Sequence, residues 1–320
     1  MSKEIEGKSH HGQHQPGCKN ALVADAAMGQ IAEALFKVLG LSSLAIAVGT
    51  LVLLFGALVF EGASRIDWHF LMAYPSRHAA QAGILPAWVG STLIMLVTAV
   101  VGVPLGVATA IYLEEYARKT WITELIEVTV TNLAGVPSII YGLLALGLFV
   151  YILGLGESIL VAGLTLALLI LPVVIVTTRE AIRAIPVEIR EAAYALGATK
   201  WQTVAHHVLP YSAAGILTGI ILALSRAIGE TAPIVTIGAL TFIAFLPPAP
   251  FTTQPPYISF DWLQSPFTVM PIQMFGWVSR PGEDFAGNAA AAGVLLVGMT
   301  LTMNGVAIYL RYRMRKQVTW

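Results

Sequence analysis

Apolar runs long enough to cross a bilayer recur along this chain, and they leave few folds open. They lie near residues 38–60, 89–113, 130–153, 159–178, 211–246 and 288–310. A membrane-spanning helix needs about 20 predominantly apolar residues, and only helices or closed barrels satisfy the backbone inside a bilayer. Charged residues make up 11% of the 320, against about 25% in an ordinary soluble domain. So few charges cannot cover a soluble protein of this size. The expected fold is an all-α polytopic membrane protein with six transmembrane helices.

The ends of the runs set an orientation. The stretch 1–37 carries four lysines and arginines, 114–127 two, 179–210 four and the C-terminal tail four. The opposite set of connections carries three: Arg65, Arg77 and Arg280. The positive-inside rule then puts both termini and the 179–210 segment in the cytoplasm. Residues 1–37 read as a cytoplasmic tail, disordered at its start, with no cleavable signal peptide, and 313–320 as a second tail. His10, His11, His14 and Cys18 at loose spacing could hold a metal, but a plain tail is the preferred reading and no metal is expected. Cys18 is the single cysteine, which excludes a disulfide framework. Gly7–Ser9 (GKS) lacks the first glycine and the preceding strand of a phosphate-binding loop.

Three connections stand out. Residues 114–127 place Trp121, Ile122, Leu125 and Ile126 on one helical face, which suits the lipid interface or a neighbouring helix. Residues 247–287 form a long extracytoplasmic connection rich in proline and aromatics. It suits contact with an outside protein and a place on the bilayer interface equally well. Residues 186–210 form a polar elbow between two spans. Pro186 suits a first helical turn, Val187 to Leu196 read as a helix, and Gly197 breaks it with a positive φ. A second short helix, about Thr199–Leu209, ends before Pro210. Such an elbow presents small side chains and a few charges that another protein can grip, or it is a plain interfacial hairpin.

The span after the elbow carries Arg226 and Glu230, four residues apart and hence on one helical face. A charge at mid-membrane costs on the order of 2.5–3.5 kcal/mol even on a lenient scale. That cost is bearable where the face lines a wet pathway or the bundle interior. A guanidinium offers planar, paired donors that match a phosphate or similar anion. Glu230 would hold that guanidinium or compete for it. The plain alternative is a structural ion pair. Gly215 and Gly219 allow close packing on another helix. Arg179 and Arg183, also four apart, read as anchors at the membrane edge or as guides for a departing anion.

The elbow carries a resemblance. Glu191-Ala192-Ala193, then Gly197, then His207-Val208-Leu209-Pro210 is similar to the EAA loop of ABC-importer permeases, with His207 where an apolar residue is usual. Arg226–Pro233 (RAIGETAP), Ala134–Gly142 (AGVPSIIYG) and Gly102–Tyr116 (GVPLGVATAIYLEEY) resemble the PstA-type permeases of high-affinity phosphate importers. The resemblance covers about residues 89–310 and implies a MetI-like ABC-importer permease fold in the bacterial inner membrane. It implies ATPase coupling through Glu191, Ala192, Ala193, Gly197, Leu209 and Pro210, and a substrate pathway at Arg226 and Glu230. The implied partners are a homologous second permease (PstC-like), two ATPase subunits (PstB-like), an extracytoplasmic phosphate-binding protein (PstS-like) and the lipid bilayer. No cofactor is expected on this chain, since ATP and Mg would sit on the ATPase, and no nucleic-acid partner is expected. No enzymatic role is expected either, because the chain has no nucleotide loop, HExxH or GxSxG, and its four aspartates lie outside the spans. Two alternatives stay open: a permease for sulfate, molybdate or phosphonate, and an ion-coupled secondary transporter.

Overall fold

A computed structural model describes residues 16–251, 257–280 and 283–315. Its elements are helical. In chain order they are α1 (Pro16–Gly62), α2 (Trp68–Met72), α3 (Leu85–Ile111), α4 (Trp121–Leu133), α5 (Ser138–Ala145), α6 (Ile159–Arg183), α7 (Val187–Ala195), α8 (Lys200–Thr203), α9 (Leu209–Ala227), α10 (Ala232–Thr236), α11 (Met270–Val278) and α12 (Ala286–Arg315). Five helical stretches are long and apolar enough to cross a membrane, or six when the bent pair α4 and α5 counts as one span.

The chain divides into residues 1–57 and 58–320. The first unit consists, where described, of most of α1, in whose apolar window no residue is buried. That helix starts at Pro16, so the tail expected over 1–37 is already helical over 16–37. Alanine dominates that stretch, and alanine is the strongest helix former. His10, His11 and His14 lie outside the described residues.

In the second unit α6 is the central helix, packed between α3 and α9. Its apolar window is 67% buried within the chain, the largest share of any span. The α3–α6 contact is close because glycines line it: Gly102 lies against Ala167 and Ile170, Gly106 against Val174, and Gly163 against Val97. Gly215 and Gly219 do the same for α9, lying against Ala181 and Thr177 of α6. The close helix packing expected from their spacing is thus present.

Three expected spans are corrected. The third, 130–153, is not one helix: α4 and α5 meet at 107°. Pro137 supplies no N–H and restricts the residue before it, and Gly135 adds freedom at the same point. The hydroxyl of Tyr141 donates to the carbonyl of Leu133 at 2.8 Å, which also accepts from the Val136 N–H at 3.1 Å, so both sides of the break are tied to it. The fifth span, 211–246, ends as a helix at Ala227. Gly229 follows, and α10 begins at Ala232 with Pro233 in its first turn. The fourth runs past its expected end at 178 to Arg183.

The 247–287 connection is also more than a loop. Trp262, Phe267, Met270, Ile272 and Trp277 are buried in the hydrophobic core, and α11 packs on α12. Many of its aromatics are therefore core, while Phe251, Tyr257 and Phe260 stay exposed.

Candidate functional site

The elbow is built by two backbone devices. At its apex Gly197 has φ +83°. The Gly197 N–H donates to Tyr194 O at 2.9 Å and the Ala198 N–H to Ala193 O at 3.1 Å. This pair of bonds closes α7 in the motif that requires a left-handed residue, which is why glycine stands there. Two residues on, Thr199 and Gln202 form a capping box. Thr199 Oγ1 accepts from Gln202 N–H, and Gln202 Oε1 accepts from Thr199 N–H at 2.8 Å.

The helix that starts there does not stop before Pro210. It runs unbroken from Lys200 to Ala227, 28 residues. A wider π turn at Val204–Val208 precedes the proline. A π turn gives room for the proline ring and absorbs the missing N–H, which an α-turn would not. The expectation of a separate second helix is therefore corrected. Leu209 and Pro210 lie inside the element that also carries Arg226.

Of the expected coupling residues, Glu191, Ala192, Gly197 and Pro210 are exposed, Leu209 is half-buried and Ala193 is buried. His207 is exposed, so its replacement of an apolar residue disturbs no packing. Leu196 is 90% exposed and Trp201 66%, with Val187 and Tyr194 also out in solvent. These apolar side chains on a polar elbow escaped the sequence reading. Their helical positions alone do not tell which face the bundle covers.

Arg190 ties the elbow to the bundle. It donates to Glu115 Oε1 at 2.9 and 3.1 Å, to Ile182 O at 3.1 Å and to Ile185 O at 3.0 Å. Ile182 lies in the last turn of α6 and Ile185 two residues past its end, and Glu115 lies in the π turn that ends the α3 span (Tyr112–Tyr116). Ile182, Ile185 and Val208 form a small core beneath it, with Ile111 and Ile189 packed against it. One side chain thus joins α7 to the ends of α3 and α6. Nothing in the sequence marked Glu115 as the partner of Arg190, which lies far from it along the chain.

Arg179 and Arg183 are likewise paired. Glu114 lies 3.3 Å from Arg179 and 2.9 Å from Arg183, and Glu127 lies 2.6 Å from Arg179. Their charges are taken up by carboxylates of α4 and of the turn after α3, which fits anchoring.

Arg226 and Glu230 meet at the other end of the long helix, with Nε–Oε1 at 3.2 Å. They do not share a helical face as expected: Arg226 is in the last turn of α9, and Glu230 follows its end. A cation is favoured at a helix C-terminus, where the dipole is negative. The Glu230 side chain is 17% exposed, and Glu230 lines a small cavity with Ser91, Ile94, Met95 and Val269. The Arg226 side chain is 48% exposed and makes no other ion pair among the described residues. It therefore presents open donors on the outer surface of this chain. No group of three or more metal-ligating side chains occurs among the described residues.

A bundle of apolar spans, one of them broken, with a polar elbow anchored at one end, defines a multi-pass helical membrane protein. The chain belongs to the family described as "Binding-protein-dependent transport system inner membrane component", whose model matches residues 102–316. It is 39% identical over 201 residues to the "Phosphate transport system permease protein PstA" of Mycobacterium leprae (strain TN), covering 61% of this chain and 66% of that one. It is 35% identical over 233 residues to the protein of the same name from Yersinia pestis, 72% of each. To the "Probable ABC transporter permease protein YqgI" of Bacillus subtilis (strain 168) it is 34% identical over 243 residues, 76% of each. The matched stretch thus spans about two-thirds to three-quarters of these relatives. Among solved structures, the bacterial alginate ABC transporter in complex with its alginate-bound periplasmic protein matches with a TM-score of 0.61 and 13% identity, covering 91% of this chain and 96% of that one. A chain of the MetNI methionine ABC transporter matches at 0.52 and 17%, covering 70% and 91%. At such identities the likeness is one of fold.

Proposed function

We propose that this chain is a transmembrane permease subunit of an ATP-driven phosphate importer of the inner membrane, with both termini and the elbow in the cytoplasm. It forms half of the translocation pathway beside a homologous, PstC-like permease. Two PstB-like ATPase subunits, which bind ATP and Mg, dock on the elbows. A PstS-like protein delivers phosphate from outside. This chain carries no cofactor and performs no chemistry.

The observation that carries this reading is the unbroken helix Lys200–Ala227. At about 1.5 Å per residue it is about 40 Å long. One end leaves the elbow and the other holds Arg226. Because Arg190 fastens α7 to the ends of α3 and α6, a push on the elbow moves these spans together. Arg226, half-exposed on the surface that a second permease would cover, offers planar donors to an oxyanion passing between the two chains. The names of the relatives support phosphate as that anion.

The test is reconstitution of the assembled importer with Arg226→Gln. Phosphate uptake should fall by about tenfold or more, as expected when a charged hydrogen bond to the anion is lost, while ATPase binding to the elbow stays intact. Unchanged uptake in a fully assembled complex would discard Arg226 as the anion contact. Uptake of sulfate instead of phosphate by the parent complex would replace the substrate.

A further inference from the structure

At the end of the bundle away from the elbow, the three arginines that the positive-inside rule leaves over come together. Arg65 follows α1, Arg77 lies in the loop before α3, and Arg280 follows α11. Arg65, Arg77 and His78 line one open cavity of about 570 Å³, together with Ser64, Asp284 and Asn288. Arg280 stacks over the ring of Phe285, which lines the same cavity, at 4.4 Å, and donates to Ser76 O at 3.4 Å. Two inter-span connections thus bring all their lysine and arginine side chains, Arg65 and Arg77 from one and Arg280 from the other, to one end of the bundle.

These charges form no ion pair among the described residues. None of the three arginines has a carboxylate within 4.0 Å there. Arg65 is half-buried and uses Nε on Asn288 Oδ1 at 2.6 Å and Nη2 on Ala79 O and Ala80 O at 2.6 Å each. Those partners are neutral, so they fix the guanidinium without cancelling its charge. Arg77 and His78 are exposed at the cavity mouth. Asp284 is the one carboxylate described in the lining, and it pairs with none of them. A partly desolvated cluster of cations with no carboxylate within 4.0 Å of any arginine among the described residues, and Asp284 as the one described carboxylate in the lining, favours an anion by its electrostatics.

We propose that this cavity binds a phosphate-type oxyanion, with Arg65 as the fixed charge and Arg77, His78 and Arg280 as the groups that close on it. Two sources share that chemistry. One is free phosphate on its way to Arg226, which rests on the phosphate reading above. The other is the headgroup of an anionic lipid in the outer leaflet.

The test reads each arginine separately. The full chain is placed in phosphatidylcholine nanodiscs and treated with phenylglyoxal, and modification of Arg77 and Arg280 is followed by mass spectrometry. Inorganic phosphate should slow modification at both residues by about fivefold or more if free anion is the ligand, as expected for a site near saturation. Nanodiscs containing phosphatidylglycerol, without phosphate, should give that protection if the headgroup is the ligand. Arg77→Gln should weaken protection at Arg280, and Asp284→Asn should strengthen it at both. No protection by either ligand, or protection at Arg280 indifferent to Arg77→Gln, overturns the proposal. The readout is independent of transport: it stands if Arg226→Gln leaves uptake unchanged, and its failure leaves the role of Arg226 untouched.

Discussion

Two arginine–glutamate pairs, one beneath the elbow and one at the far end of α9, are built in opposite ways. Arg190–Glu115 is closed. The side chains are 16% and 7% exposed, and Arg190 makes bonds to two backbone carbonyls besides the carboxylate. Arg226–Glu230 is open. It rests on one contact at 3.2 Å, and the arginine side chain is 48% exposed. A closed pair spends its donors on the protein and holds elements in place, while an open pair keeps donors for something that arrives. The same two residue types thus serve as a joint in one place and as a contact in the other.

The largest effect should come from breaking the joint. Arg190→Ala leaves Glu115 buried without its cation and removes the bonds to the carbonyls of Ile182 and Ile185. Removing one partner of a buried pair costs about 3–5 kcal/mol. Thermal unfolding of the purified chain should show a large loss of stability and a lower yield of folded protein. Arg226→Ala should shift unfolding far less, by about 1 kcal/mol at most, as for exposed pairs. Equal shifts for the two variants would erase the distinction between joint and contact.

A smaller effect is expected at the apex of the elbow. At φ +83° Gly197 holds a conformation that costs a β-carbon residue about 1–2 kcal/mol. Space is not the obstacle, since nothing lies within 4 Å of a β-carbon placed there. Gly197→Val should therefore distort the turn with only modest loss of overall stability. The proposed outcome is weakened pull-down of the ATPase subunits. Normal ATPase binding and normal coupled transport would remove the elbow from the coupling path.

How much of this was legible in the sequence depends on the range of the interaction. Local signals read well. Gly197 gave the positive-φ turn, and Gly215 and Gly219 gave the close seat on α6. What failed was continuity. Pro210 reads as a helix stop, but the π turn at Val204–Val208 carries the helix through it. Gly229 and Pro233 sit in an apolar run that reads as one span, yet the helix ends at Ala227. Interactions between distant segments were invisible: neither the partner of Arg190 nor the convergence of Arg65, Arg77 and Arg280 leaves any local pattern. The same holds for the buried aromatics of the 247–287 stretch, which compositionally match a surface loop.

The smallest structural effect, and the sharpest functional one, is expected for Glu230→Gln. Its pair with Arg226 is one contact to a half-exposed guanidinium, so its loss should change stability by about 1 kcal/mol or less. If the pair were simply a brace, transport would follow stability and hardly change. If Glu230 competes with the passing anion for Arg226, its neutralisation leaves the anion bound longer. The maximal uptake rate should then fall several-fold while the phosphate concentration needed for half-maximal uptake also falls. That joint decrease is the signature of tighter holding and slower release, and a structural brace predicts neither. Uptake measured over a range of phosphate concentrations in proteoliposomes separates the two. A parent-like rate with parent-like half-saturation would make Arg226–Glu230 a joint like Arg190–Glu115, only a weaker one.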